Sequence, residues 1–293
     1  MSAPILVAYS PKSGDRGPVN FAEAAARATG APIVVLAAEA GGADAAGQLR
    51  AELGLGDDVE VRAPEGSPTR AIAAAVEELK PGLLVVGSTH RGGFGRIMPG
   101  STAERLIHGS AAPVVVVPHQ HEVRAGGART VAAGFENTDE GRTALRVAAG
   151  LARSLGAKLL AVLVLSPKHA EEQAPGLLAR TEHDQSLSEN RHTLDRLSHQ
   201  DALTAAIAEF AEGVETEPDV LFQEPAEGLE AASHRADLMV IGARAHGPMH
   251  SVALGGTGHK LITTAACPLL VLPRGLDELS LTAGSSASAG SAG

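Results

Sequence analysis

Between the apolar runs LLVV and PVVVV lies GSTHRGGFGRIMPGST, residues 87–102, the stretch best suited to chemistry in this chain. Small residues let a backbone come close to a guest, and a helix restarting after Gly100 aims unpaired N–H groups and the positive end of its dipole at one spot. Ser101 and Thr102 add hydroxyl donors, and Arg91 and Arg96 add positive charge. The chemistry is anion binding, and phosphate is the natural anion. The spacing does not read GxxxxGK[ST], so there is no Walker lysine with a magnesium-holding hydroxyl behind it. A dinucleotide fingerprint is also excluded, because this loop follows the fourth strand of its unit and no acidic residue stands at the usual distance downstream. The bland alternative is that Gly87 and Gly100 are turn residues and Ser101 a helix cap worth ~1 kcal/mol with no ligand. The loop's length, about a dozen residues against the usual 2 to 6, favours a guest.

Other candidates carry less. His119 and His121 have no third ligand within sequence reach and are expected to be solvated linker residues. His183, His192 and His199 lack helical i, i+4 spacing and are expected on the surface. Cys267, the only cysteine, precedes an apolar run with no basic neighbour and reads as a buried structural thiol; no intrachain disulfide can form. No nucleophile with a base, carboxylate pair or metal cluster occurs at a spacing above chance, so no catalytic residue and no metal site is assigned.

The elements that must position the loop occur twice. Residues 85–118 align without gaps to 240–273, sharing eleven of thirty-four residues, and 4–40 mirror 130–165 more loosely. Within a unit, PILVAY, PIVVLAA, VEVRAP, LLVV and PVVVV read as strands. FAEAAARAT closed by Gly30, AAGQLRAEL, TRAIAAAVEEL opened by Pro68 with Ser67 as cap, and STAERLIHG read as helices. Strand and helix in alternation, with continuous Val/Leu runs, define an α/β fold whose parallel sheets are covered on both faces. The expected organisation is a unit at 1–118, a linker at 119–129, a second unit at 130–275 with a polar insert at 168–200, and a flexible tail at 276–293.

Net charge is −10 with a pI near 5.6, and there are five Phe, one Tyr and no Trp. Both the charge and the lack of stacking rings argue against a nucleic-acid partner. No window approaches the 18 or so apolar residues of a membrane span, and no basic leader precedes the first strand, so a cytoplasmic location is expected.

With its glycine loop after the fourth strand of each half, the chain resembles the universal stress protein family in its tandem form, over about 1–118 and 129–275. The ATP-binding members carry Gly, two residues, Gly, nine residues, then Gly and Ser or Thr. Gly87, Gly100 and Ser101 match that pattern, and His90 stands in place of the second Gly. In the second half Gly242 and Gly255 match, Ala245 replaces the middle Gly, and Gly256 replaces the hydroxyl residue, with Thr257 one place along. The family's acidic residue after the first strand falls at Ser10 and Glu136, neither the usual Asp, and Ala38 matches a position facing adenine.

The resemblance implies two Rossmann-like domains of five mostly parallel strands whose last strands, PVVVV and PLLVL, pair across a pseudo-two-fold axis. That pairing makes an intramolecular pseudo-dimer, with further homodimerisation left open. It implies ATP or another adenine nucleotide in the first domain, a more degraded nucleotide site in the second at Glu136, Gly242, Ala245, Gly255, Gly256 and Thr257, magnesium only through the nucleotide, and a stress-response role exerted through an unidentified protein partner. The alternative is a scaffold whose two nucleotide sites have both decayed; slow ATP hydrolysis is a third and weaker reading.

Overall fold

The computed structural model describes residues 3–37, 41, 44–88, 104, 106–107, 110–166, 197–243, 254–276 and 279. The first half runs β1 (Ile5–Ala8), α1 (Gly17–Thr29), β2 (Ile33–Leu36), α2 (Ala45–Leu53), β3 (Glu60–Arg62), α3 (Pro68–Leu79), β4 (Leu83–Gly87) and β5 (Val114–Val117). The second runs β6 (Thr130–Phe135), α4 (Asp139–Leu155), β7 (Lys158–Leu165), α5 (residues 197–210), β8 (Thr216–Phe222), α6 (Pro225–Ser233), β9 (Leu238–Gly242), α7 (Gly256–Thr264) and β10 (Leu269–Leu272).

Local chemistry explains the boundaries. α1 ends where Gly30 turns left-handed at φ 72°, a conformation glycine adopts without a Cβ penalty. α4 starts at Thr138, whose hydroxyl accepts a hydrogen bond from the Gly141 N–H at 3.2 Å, and Asp139 and Glu140 complement the helix dipole in its first turn. Ser67 does hold the N-cap position of α3, but its side chain makes no cap bond, so Pro68 at the first turn carries that start alone. α3 closes on Lys80, left-handed at φ 45°.

The ten strands form one continuous sheet in the order β3-β2-β1-β4-β5-β10-β9-β6-β7-β8. Every neighbouring pair is parallel except β5 and β10, which run antiparallel with Leu270 opposite Val115. The order is palindromic about that seam: each half reads third, second, first, fourth, fifth strand from its outer edge inward. The two fifth strands therefore cover each other's open edges, as the family resemblance implies.

Alternate residues along each strand feed opposite layers. Ile5 and Val7 join α1, α2, α4 and α5 in one apolar cluster; Leu6 joins α3, α6 and α7 in the other. Both clusters cross the seam, since Val115 and Val117 share the first with Leu270 and Leu272. Leu276 and Leu279, in the stretch expected to be a flexible tail, pack against that same layer. The insert expected at 168–200 lies outside the described residues up to 196, and 197–200 already belong to α5.

Candidate functional site

In an open parallel sheet the ligand crevice forms beyond the carboxyl ends of strands that depart in opposite directions. Here that place is the gap between β1 and β4, because α1 carries the chain one way to β2 and the connection after β4 carries it the other way to β5. Ala8 pairs with Val86, so Ser10 and Ser88, each two residues on, leave the sheet side by side. Ser10 is exposed, and its carbonyl accepts hydrogen bonds from the Ser13 N–H at 3.1 Å and the Ser13 hydroxyl at 2.9 Å, which closes a turn under the crevice.

Gly87, at the end of β4, has a packing reason for its identity. A Cβ there would stand 2.9 Å from Cγ of Pro18, in the first turn of α1. Its repeat-mate Gly242 is tighter still: a Cβ would lie 2.6 Å from the Glu140 carbonyl oxygen in the first turn of α4. Both glycines let a helix start sit directly against a strand end, whatever lies in the crevice.

Ser88 is the residue that sequence reasoning passed over. It is 5% exposed, its N–H donates to the Val117 carbonyl at 2.9 Å, and its hydroxyl oxygen is buried with no hydrogen-bond partner among the described residues. A buried hydroxyl without a partner is costly, on the order of 1–3 kcal/mol, and such groups are rare enough to call for an explanation. In the second half the same position is Ala243, whose N–H makes the same bond to Leu272 at 2.9 Å but which has no hydroxyl to satisfy. The repeat alignment contains this signal as a Ser/Ala difference next to the matched glycine, where a serine reads as an ordinary turn residue.

The remaining first-half candidates, Ala38, His90, Arg91, Gly100, Ser101 and Thr102, lie outside the described residues, as does Ala245. In the second half Glu136 is exposed beyond β6, and its backbone is gripped by α4, since a Cβ on Gly141 would stand 2.1 Å from the Glu136 carbonyl oxygen. Gly255 is the N-cap of α7, Gly256 and Thr257 are its first residues, and no side chain caps that helix. Among the described residues nothing adjoins the missing side chain of Gly256 within 4 Å.

The linker histidines are not solvated, contrary to expectation. Asp15, 7% exposed, accepts from the Gly17 N–H at 2.9 Å and the Gln120 N–H at 3.3 Å, and its second oxygen lies 3.0 Å from His119 Nδ1. His121 is half-buried, and burial pushes its pKa below the ordinary value of 6.5 against the opposing pull of Asp237, Asp15 and Glu122. The reason is an acidic anchor 104 residues away that no local reading reaches. His199 is partly buried in α5 rather than exposed. Cys267 is buried, and desolvation pushes its thiol up to about 12, as suits a structural side chain.

A palindromic pair of doubly wound α/β units, each with a glycine-ended fourth strand at its crevice, defines the class of protein. The model of the universal stress protein family matches residues 36–118 and 127–273, and the chain belongs to that family. A universal stress protein of Mycobacterium tuberculosis is 27% identical over 231 residues, which is 75% of this chain and 74% of that one. One from Thermus aquaticus is 31% identical over 147 residues, 49% of this chain and 98% of its own. Among solved structures, a putative universal stress protein from Pseudomonas aeruginosa shares the fold at a TM-score of 0.68 and 17% identity, covering 92% of this chain and 93% of its own. One from Archaeoglobus fulgidus does so at 0.61 and 18%, covering 94% and 100%. No helix among the described residues is long and apolar enough to cross a membrane.

Proposed function

We propose that this protein binds an adenine nucleotide, ATP or a relative of it, in the crevice of its first half, and passes the bound state to a protein partner in a stress response. The observation that carries this reading is the buried, unpartnered hydroxyl of Ser88 at the head of the glycine loop, beside Ser10. A phosphate oxygen would satisfy that hydroxyl, and the sequence that follows offers Arg91, Ser101 and Thr102 as further donors. Gly100 and Ser101 would cradle phosphate, His90 would add a donor, and Ser10 and Ala38 would face ribose and base. Bound magnesium would come with the nucleotide.

The second half is read as scaffold. Ala243, Ala245 and Gly256 remove from it the polar groups that Ser88, His90 and Ser101 supply in the first.

Protein purified from cells should release an adenine nucleotide on denaturation, identified by mass spectrometry. Emptied protein should bind ATP in calorimetry with one nucleotide per chain. Ser88→Ala should weaken that binding about tenfold, the value of one hydrogen bond to a charged acceptor, and Gly100→Asp should abolish it by setting a carboxylate where phosphate sits. Protein that carries nothing and gives no heat with ATP, ADP or AMP ends the nucleotide reading.

A further inference from the structure

The second half has a cavity of its own on the side of the sheet away from α7. About 430 Å³ in volume, it is enclosed by the first two turns of α4, the end of α5 and the chain leaving β10, with Gly242 on its floor. α4 lies over one apolar layer, while α6 and α7 pack together over the other, so this cavity and the N-terminus of α7 are on opposite faces.

Two arginines line it, Arg142 and Arg146, and Arg274 lies between the lining residues Pro273 and Gly275. Arg142 pairs with Glu209 and lies 5.3 Å from the centre of the Phe210 ring. Arg274 lies 3.3 Å from a Glu140 oxygen. Arg146, one turn beyond Arg142 on the same flank of α4, is not matched. Among the described residues its Nε is buried with no hydrogen-bond partner, and its Nη2 donates to the Thr143 hydroxyl and the Leu276 carbonyl, each at 3.5 Å. No carboxylate pairs with it among the described residues; Asp139, the remaining acid at the cavity, is an exposed residue at the start of α4.

The first half shows how this arrangement differs from its repeat-mate. By the repeat alignment Asp15 corresponds to Gly141, His119 to Arg274 and Asn20 to Arg146. The equivalent space there, bounded by residues 13–20 and 118–122, holds its own buried carboxylate in Asp15, already bonded to the chain after β5. In the second half Gly141 stands at the Asp15 position, Glu140 one place earlier holds Arg274 after the fifth strand, and Arg146 adds a guanidinium where the first half has Asn20. A guanidinium whose Nε is buried without an acceptor, and whose two bonds from Nη2 are long, has capacity for an acceptor from outside, and its planar fork suits carboxylate and phosphate oxygens.

We infer that this cavity binds a small organic anion, its carboxylate or phosphomonoester head on Arg146 and its apolar body against Leu272 and Leu276. Glu140 and Glu209 stay on their own arginines, so the guest brings one anionic head and not two. The site is independent of the nucleotide crevice of the first half.

The full chain is titrated by calorimetry with benzoate and with phenyl phosphate, in chloride buffer free of other oxyanions. One molar equivalent of at least one probe binds, and the stronger of the two identifies the head group. Arg146→Met weakens that binding at least tenfold. Without probe, the same variant melts about 2–4 °C higher, because an unsatisfied buried group has been removed; a residue retained only for structure would lower the melting temperature instead. Arg146→Gln, which keeps a hydrogen-bonding side chain without the charge, weakens binding by a similar factor and stands in should the Met variant not fold. ATP affinity is unchanged in either variant, so failure of this site and failure of the nucleotide reading are separate results. The inference is overturned if neither probe binds up to about 10 mM, if both variants bind as well as the parent, or if ATP affinity falls with Arg146.

Discussion

At the residue scale, the two halves diverge through what single side chains leave unsatisfied or overcrowded. Ser88 keeps a hydroxyl that Ala243 lacks, and Gly141, where the first half has Asp15, stands against a backbone that leaves no room for a Cβ. The crowding at Gly141 gives a direct expectation. A methyl group there would lie 2.1 Å from the Glu136 carbonyl oxygen and 2.6 Å from its nitrogen, both backbone atoms that cannot swing away. Gly141→Ala should therefore cost about 3 kcal/mol, at the upper end of overpacking substitutions. Gly150, later in the same helix, has nothing within 4 Å of its missing side chain, and Gly150→Ala should instead stabilise by about 0.5–1 kcal/mol through helix propensity. Urea denaturation of the pair tests whether contact or propensity decides, and equal shifts of the same sign would show that neither site is packed as described. The crowding at Gly141 was invisible in the sequence because it depends on where the chain three to five residues earlier turns out of β6. Ser88 was visible but mute, since a serine beside a strand-ending glycine has the same letters whether or not its hydroxyl finds a partner.

At the element scale, the chain after each fifth strand is tied back to the first helix of its half, by Asp15 with His119 in one case and Glu140 with Arg274 in the other. The tie in the first half draws His121 in beside it, where burial lowers its pKa while Asp237, Asp15 and Glu122 act in the opposite sense. A histidine that resists protonation in the folded chain contributes stability that is complete above its unfolded value of 6.5 and is lost as pH falls below it, because the unfolded chain then takes up the proton that the folded one declines. The urea midpoint should thus fall between about pH 6.5 and pH 5, and His121→Gln should flatten that fall. Parallel profiles for parent and variant would remove His121 from the account. Strands and helices were legible here from apolar runs and from caps such as Gly30, because those signals are local. The seating of residues 119–121 was not, because Asp15 lies 104 residues earlier, and a pair of histidines between two units has the composition of a solvated connector. The cap at Ser67 failed for a related reason: its position was readable and its rotamer was not.

At the scale of the whole molecule, the seam between β5 and β10 makes the two repeats one body. Leu270 and Val115 face each other across it, each 1% exposed, and both apolar layers continue through it without a polar break. This pairing was anticipated through the family resemblance and not from the repeat alone, and it covers two edges that each half would otherwise expose. Such a molecule should unfold as a unit even though its chain is a duplication, and the composition provides the probe. Tyr9 is the only tyrosine, there is no tryptophan, and Tyr9 is buried at the end of β1, in the first half. Leu270→Ala, in the second half, deletes a buried side chain at the seam and should cost about 2–5 kcal/mol. If the seam couples the halves, the fluorescence of Tyr9 and the far-ultraviolet circular dichroism of the whole chain should move together to lower urea, with an unchanged slope. A Tyr9 transition that stays in place while the dichroism splits into two steps would mean that the halves are stable alone and merely adjoin. The coincident shift is expected, because no layer of the core belongs to one half only, and a cavity opened at Leu270 is lined by β5 as much as by β9.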